Sequence, residues 1–336
     1  MVGKLYMLKW SEWKGEDIAW NAILMQFPDY NVYQSHPWGE HRGRFGWAPY
    51  RITASKDNCT VAAAQLLVRR FPLNVALVWV PGGPVGLIDT WGDSFRTAIR
   101  QVTGARHIYC RINPMRPQSD HDIDQLNTEG WHKPFAPIIS GMSLSYNPSA
   151  SVNDRENKAS RNWRHNLRRS LKYGHEISIW TSPDPDEILT VYEAMQSHKK
   201  LNEQISRPVL VSMLDLLRKQ CIVVSCRDGQ GRLLALRGAL LLGNKAWDVF
   251  AAATPEARKV YASHAAFWEL MHQCAIRGVQ WYDMSGVDPV NNKGVYDFKK
   301  ATGAIDLLYL GEWDWATSSV LRRVANFMIK RRSQGM

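Results

Sequence analysis

The residues of this chain best suited to chemistry on an anionic partner are crowded into SRNWRHNLRRSLKYG (160–174). At 100° per residue, Arg161, Arg164, Arg168 and Lys172 form one stripe of a helix, with His165 and Arg169 beside it. Trp163, Leu167 and Leu171 recur at i, i+4 and i+8 on a separate apolar stripe, and Gly174 supplies a stop. Such a ridge of cations can grip the phosphates of RNA or of a lipid pyrophosphate. The plainer reading is a solvated basic face. Residues 155–174 hold seven Lys or Arg and one Glu, and 320–336 hold five basic residues and no acid. These two segments account for the whole net charge of +11, so the rest of the 336-residue chain is formally neutral. The second segment interleaves Val320, Leu321, Val324, Phe327 and Met328 with its cations, a pattern that either docks on protein or lies on an anionic bilayer.

Other chemistries lack their signatures. Gly82, Gly83 and Gly86 precede no Lys-Ser/Thr pair, so they form no phosphate loop. Cys221 and Cys226 have no second Cys pair, and His36 and His41 stand five apart, so no metal is expected. The five scattered Cys read as free thiols of a reducing cytoplasm. There is no G-x-S-x-G elbow. Of the 15 Trp, strand residues such as Trp79, Trp247 and Trp281 read as core, and Trp38 as a wall of a substrate groove. No signal-peptide h-region opens the chain and no apolar run approaches the ~20 residues of a membrane span. A cytoplasmic chain is expected, at most peripheral at the inner face of the membrane.

The elements that must position these residues read as the same order twice. In the first half, a helical pattern (16–27), a short strand (31–35) and a second helix (37–45) precede strands at 47–54, 59–70 and 74–80. The turn PGGPVG (81–86), a helix near 90–102 and a strand at 106–112 complete it. In the second half, helices from Pro185 and from about Val209 precede strands at 221–227, 232–242 and 246–253. A long helix (258–277) and a strand (279–285) follow. Helices, three hairpin-linked strands, a helix and a strand, repeated, predict an α/β (α+β) protein of two related domains rather than one continuous parallel sheet. The domains are expected at 1–152 and 153–314, with a C-terminal helix (315–336) packing back on the first.

Four segments, in order across residues 33–304, resemble the FemABX family of aminoacyltransferases. They are YQSHPWGEHRGRFGW (33–47), VWVPGGPVG (78–86), the basic helix at 160–174, and WYDMSGVDP (281–289) followed by GVYDFKKATGA (294–304). The resemblance implies two tandem GNAT-like acyltransferase domains with a cleft between them, and an amide-forming reaction without metal or prosthetic group. The amino acid would come from an aminoacyl-tRNA and pass to an amine of a lipid-linked or nucleotide-linked cell-envelope precursor, such as the peptidoglycan precursor lipid II. Both partners are polyanions, which suits the basic helix.

Residue by residue, the resemblance places Arg42 at a precursor phosphate, where its guanidinium fork can bind bidentately. Arg207, in QISRPVL, is the candidate for a second phosphate contact. Phe298 would pack at the cleft and Lys299 would stabilise the donor end as the catalytic residue; without the motif, Lys299 would read as a surface lysine. One departure stands out. The family often has an acid before Pro at the end of a first-domain strand, and here the place is Ile112-Asn113-Pro114. Asn cannot usefully take a proton; Asp288, His264 and Asp283 are alternative bases. Two rival functions stay open: an acyl-CoA-dependent N-acyltransferase on an amino sugar, and a non-catalytic module for RNA or anionic lipid. Against CoA, the stretch Arg258–Ser263 has Tyr261 where a pyrophosphate-cradling turn needs Gly.

Overall fold

The computed structural model describes residues 9–199 and 205–333. In chain order its elements begin β1 (Lys9–Glu12), α1 (Asp17–Leu24), α2 (His36–Gly43), β2 (Ala48–Lys56), β3 (Cys59–Phe71), β4 (Val75–Gly82) and β5 (Val85–Gly86). Then come α3 (Asp93–Thr103), β6 (His107–Pro114), α4 (Asp120–Thr128), β7 (Met142–Tyr146), α5 (Val152–Lys158), α6 (Arg161–Leu171) and β8 (Glu176–Ile179). Next are α7 (Pro185–Lys199), α8 (Arg207–Leu216), β9 (Cys221–Arg227), β10 (Leu233–Leu242), β11 (Lys245–Ala253), α9 (Pro255–Lys259), α10 (Ala262–Ile276) and β12 (Trp281–Asp283). The last are α11 (Lys293–Lys300), β13 (Ile305–Leu308), β14 (Trp313–Ala316) and α12 (Ser319–Ser333).

The chain divides into two compact units, 1–141 with 308–336, and 142–307. The boundary lies earlier than the expected 152/153 because β7 is a strand of the second sheet, pairing Tyr146 with Tyr282 and Ser145 with Asp283. The return to the first unit likewise begins before residue 314, since β14 pairs with β6 from Trp313 to Ala316.

Each unit is built on a mixed sheet. The first runs β1-β2-β3-β4-β6-β14 and the second β13-β7-β12-β11-β10-β9-β8. The β2–β3 hairpin turns on Asp57 and Asn58, both at positive φ (52° and 64°), the residues and geometry that match the right-handed twist of its strands. In both sheets a three-stranded meander meets a parallel neighbour. In the first unit β4 and β6 stay paired for eight residues, from Val75↔His107 to Gly82↔Pro114. In the second, β11 and β12 pair only over Lys245↔Trp281 to Trp247↔Asp283, although β11 runs on to Ala253.

The tryptophans mostly settle in cores. Trp10, Trp20, Trp91, Trp131, Trp247 and Trp313 are fully buried. Indole N–H groups there donate to main-chain carbonyls, Trp10 to Thr90 at 2.7 Å and Trp131 to Trp91 at 2.8 Å, which offsets the cost of burying them. In the second unit β9 alternates strictly: Ile222, Val224 and Cys226 face the core under α6 and α10, while Val223 faces the one under α7 and α8.

Two expected elements change form. NVYQS (31–35) is a 3₁₀ turn, Val32–Gln34, rather than a strand. Its polar side chains serve other backbone: Asn31 Oδ1 accepts from Tyr33 N, and Gln34 bonds the main chain of Gln65 and Pro81. The long helix at 258–277 is two, broken where Tyr261 adopts a left-handed conformation (φ 57°).

Candidate functional site

Lys299 lies on α11 with its side chain turned into the second unit and only 6% of its surface exposed. Its ammonium donates to the main-chain carbonyl of Met284, and to that of Ser285 at 3.5 Å. It stands 3.9 Å from Asp248. Asp248, buried on β11, accepts from Tyr282 OH at 3.0 Å and from Arg237 at 3.4 Å. Burial pulls the Lys299 amine below its ordinary range; Asp248 opposes that shift and Arg237 adds to it. Ser285 holds the carbonyls in place. It sits at φ 60°, its N–H donates to Asp283 at 2.7 Å, and its hydroxyl donates to the Asp248 carbonyl. A non-glycine residue in that conformation is costly, and the surrounding bonds are what maintain it.

This network occupies the point where β11 and β12 part. Beyond Trp247 and Asp283 the two strands no longer pair, and the freed N–H of Ala251 is taken by the Tyr192 hydroxyl at 3.0 Å. Phe298 faces inward beside Lys299. Its ring meets His264 at 5.1 Å and Phe267 at 6.2 Å edge-on, under the Arg237 guanidinium at 5.0 Å. The arrangement fixes one positive charge in a low-dielectric wall at the end of a parallel strand pair. There it can stabilise negative charge developing on a nearby oxygen.

The three alternative bases are not equivalent. Asp283 is fully buried and accepts from Ser143 and from Ser285 N. Asp288 closes a local turn, accepting from Val290 N and Asn291 N, and those bonds hold its carboxyl below the usual range. Burial pushes His264 down to about 4, so its imidazole is neutral at pH 7, and its Nδ1 has no hydrogen-bond partner. Asn113, the penultimate residue of β6, has its N–H on the Gly83 carbonyl at 3.2 Å.

The basic helix forms as its sequence dictates. Ser160 caps α6, accepting from Trp163 N at 3.2 Å, and Trp163 and Leu167 are buried. Leu171, grouped with them by periodicity, is exposed, because α6 ends there. Glu156, Asn157, Arg161, Arg164, His165 and Arg168 line an open depression of about 520 Å³. Arg164 donates to the Glu156 carbonyl at 3.0 Å, which fastens it to α5. Arg161, Arg168 and Lys172 are exposed. Arg169 is diverted: it donates to Tyr261 OH at 2.7 Å and stacks over that ring. Arg207 is exposed and grips Asp186 bidentately at 2.6 and 2.8 Å, so one edge of its fork is already occupied.

In the first unit Arg42 is half-buried. Its guanidinium lies 5.4 Å over the Trp79 ring and its Nε has no partner. Arg69 stacks 4.4 Å over Trp47, whose ring is 5.7 Å from that of Trp79. Neither indole N–H is hydrogen-bonded. Burial and the charge of Arg69 both lower the Arg42 pKa, and no carboxylate compensates it. Arg69 is itself spent on the main chain, donating to the Phe45 carbonyl at 2.5 Å and to that of Gly46 at 3.3 Å. The Arg42 Nε and the two indole N–H groups are the unpartnered donors of this cluster, and they could meet an anion. Trp38 packs against Tyr33 and His41, its indole N–H also without a partner. Sequence reasoning singled out Arg42 and Trp38 but missed Arg69, Trp47, Asp248 and Arg237, whose roles depend on cross-strand neighbours that no local spacing encodes. Among the described residues no group of three His, Cys, Asp or Glu side chains could hold a metal ion, and no helix is long and apolar enough to cross a membrane.

Residues 192–330 match the model of the FemAB family, so the resemblance expected from the motifs is borne out over the stretch that includes Phe298 and Lys299. No curated protein matches the chain. The fold is similar to that of the crystal structure of FemX, with a TM-score of 0.79 at 16% identity over 94% of this chain and 100% of that one. It is also similar to L-PGS from Bacillus licheniformis (TM-score 0.57, 12% identity, 96% and 97% covered). A tandem GNAT protein from the clavulanic acid biosynthesis pathway gives 0.54 at 12% identity, with 93% and 99% covered. The fold is therefore the tandem GNAT-like one expected from the repeated element order.

Proposed function

We infer that this FemABX-type chain is an acyltransferase that moves an amino acid from an aminoacyl-tRNA to an amine of a peptidoglycan precursor of the lipid II type. The observation that carries the reading is the Lys299 ammonium, inside the family-matched residues, fixed where β11 and β12 part. In the reaction the neutral amine nitrogen of the acceptor attacks the ester carbonyl of the donor. A C–N bond forms, the ester C–O bond breaks, and the ribose hydroxyl leaves with the proton that the nitrogen gives up. The ester is already activated, so alignment of the two reactants and stabilisation of the oxyanion supply most of the catalysis. Lys299 supplies the second, and neutral His264 is the nearest group in character to a proton relay.

Arg42, with its Nε unpartnered over Trp79, suits a precursor phosphate, and the depression at Arg161, Arg164 and Arg168 suits the donor's RNA. A CoA donor is disfavoured by Tyr261. It stands at the start of α10 in a left-handed conformation, a position where a glycine would let a pyrophosphate approach the backbone, and its ring carries Arg169. Incubating the protein with charged tRNA or with acyl-CoA, each beside lipid II, tests the reading by mass. Amide product from charged tRNA alone is expected; product from acyl-CoA alone overturns it.

A further inference from the structure

The C-terminal helix α12 shows two opposite faces. One is fastened to the first unit by buried polar bonds: Arg322 Nε donates to Asp314 at 2.6 Å, and Asn326 Nδ2 donates to the same carboxylate at 2.6 Å. Arg111, itself buried, donates to Asn326 Oδ1 at 3.0 Å and to Glu312 at 3.3 Å. The other face, roughly 100° to 160° around the helix from Asn326 at 100° per residue, carries Val320, Val324, Phe327 and Met328. Val320 is 69% exposed, Phe327 61% and Met328 64%, and Val324 is about half exposed. A neighbouring loop packs on the fastened side of the helix and leaves two apolar side chains of its own exposed. Phe135, 62% exposed, lies under the Arg322 guanidinium at 4.7 Å, and its N–H donates to Asn326 Oδ1. Ile138, whose N–H donates to Glu312 at 2.7 Å, is also exposed.

Four large apolar side chains exposed along one stripe of a helix are unusual on a water-facing surface. Their surroundings specify what covers them. Arg323, Lys330 and Arg331 are exposed along α12, with Arg331 5.8 Å from the Phe327 ring, and residues 320–336 contain no acid. We propose that α12 docks on an anionic lipid bilayer, with the apolar stripe entering the interface and the flanking cations meeting headgroup phosphates. A second copy of this chain fits poorly, because a two-fold contact would set each cation cluster against itself. The inference needs no catalysis and stands apart from the proposed transfer reaction.

Cosedimentation of the full chain with vesicles tests it directly. Binding is expected with 30 mol% phosphatidylglycerol in phosphatidylcholine, with little binding to pure phosphatidylcholine and steep loss at high salt. Each charge reversal among Arg323→Glu, Lys330→Glu and Arg331→Glu is expected to weaken binding by at least about fivefold. The pair Phe327→Ser and Met328→Ser should abolish it without changing the circular dichroism spectrum, since those side chains are exposed. Three outcomes overturn the proposal: no binding to anionic vesicles; unchanged binding in these variants but loss in Arg161→Glu/Arg168→Glu, which would move the contact to α6; or a dimer in sedimentation equilibrium that Phe327→Ser dissociates, with no vesicle binding.

Discussion

Replacing Lys299 by Met keeps the side-chain stem and removes only the charge, so the consequences can be worked from its contacts. The variant loses hydrogen bonds to the Met284 and Ser285 carbonyls and the interaction with Asp248 at 3.9 Å. Breaking a buried ion pair commonly costs about 3–5 kcal/mol because the surviving charge is orphaned. Asp248 is not orphaned here, since Tyr282 OH and Arg237 still donate to it. The cost should fall to the desolvation of the carbonyls, about 1–3 kcal/mol, which a domain with some 5–15 kcal/mol of stability survives. Removing a fixed charge that stabilises an oxyanion costs about 10²–10³ in rate, or some 2.7–4 kcal/mol at the transition state. Single-turnover transfer from charged tRNA and urea unfolding followed by tryptophan fluorescence would measure the two effects separately. Tyr282→Phe is the control: it removes one bond to Asp248 and leaves the ammonium, so stability should drop while transfer persists. Wild-type transfer in Lys299→Met refutes the assignment. So does an equal loss of transfer in Tyr282→Phe, which would trace the effect to the network rather than the charge.

Three further outcomes follow from other contacts. Arg42→Met should raise the thermal stability of the first unit while weakening binding of a phosphate-bearing precursor by at least tenfold, because an uncompensated half-buried cation destabilises the empty fold; thermal unfolding with and without precursor would show both. Burial holds His41 at about 4, well below its ordinary 6.5, so the unfolded chain takes up a proton first as the pH falls. The stability this His contributes is complete above pH 6.5 and is lost as the pH falls toward 4. About 2 kcal/mol should disappear between pH 7 and pH 5 in wild type but not in His41→Phe, read from urea midpoints. Arg161→Gln/Arg168→Gln should weaken tRNA binding and flatten the slope of log K against log salt by roughly 1.5, as two lost phosphate contacts require.

How much of this was legible in the sequence depends on the range of the interaction. The hairpin at Asp57-Asn58 and the cap at Ser160 are local, and residue type settles them. The tandem architecture was legible because the same element order occurs twice. The strand expected at 31–35 failed because the side chains of Asn31 and Gln34 bond backbone as far off as Pro81, and no local window contains that partner. Tyr261 broke an expected helix for a similar reason. Its ring is held by Arg169, about ninety positions earlier in the chain. The motif names Phe298 and Lys299, whereas Asp248, Arg237 and Ser285, which surround Lys299, meet it only through the register of β10, β11 and β12. Arg207 is marked by its motif position alone, while its partner Asp186 lies on a different helix, outside any local window.

The absence of an acid at position 113 becomes intelligible when the two units are compared. A base is useful only where strands part and leave space and unpaired backbone for a reactant. In the first unit β4 and β6 pair as far as Pro81↔Asn113 and Gly82↔Pro114, and the Asn113 N–H is itself bonded to Gly83. A carboxylate there would stand at the end of a closed strand pair. In the second unit pairing stops after three residues, and the parted ends hold Lys299, Asp248, Ser285 and, close to Phe298, a neutral His264. In the second unit, then, ionisable groups lie where the sheet opens. His264→Gln separates the remaining alternatives. If the imidazole relays the proton, transfer should slow at pH 7 and lose its dependence on pH between 4 and 7. If the proton passes directly from the attacking amine to the leaving ribose oxygen, rate and pH profile should match wild type.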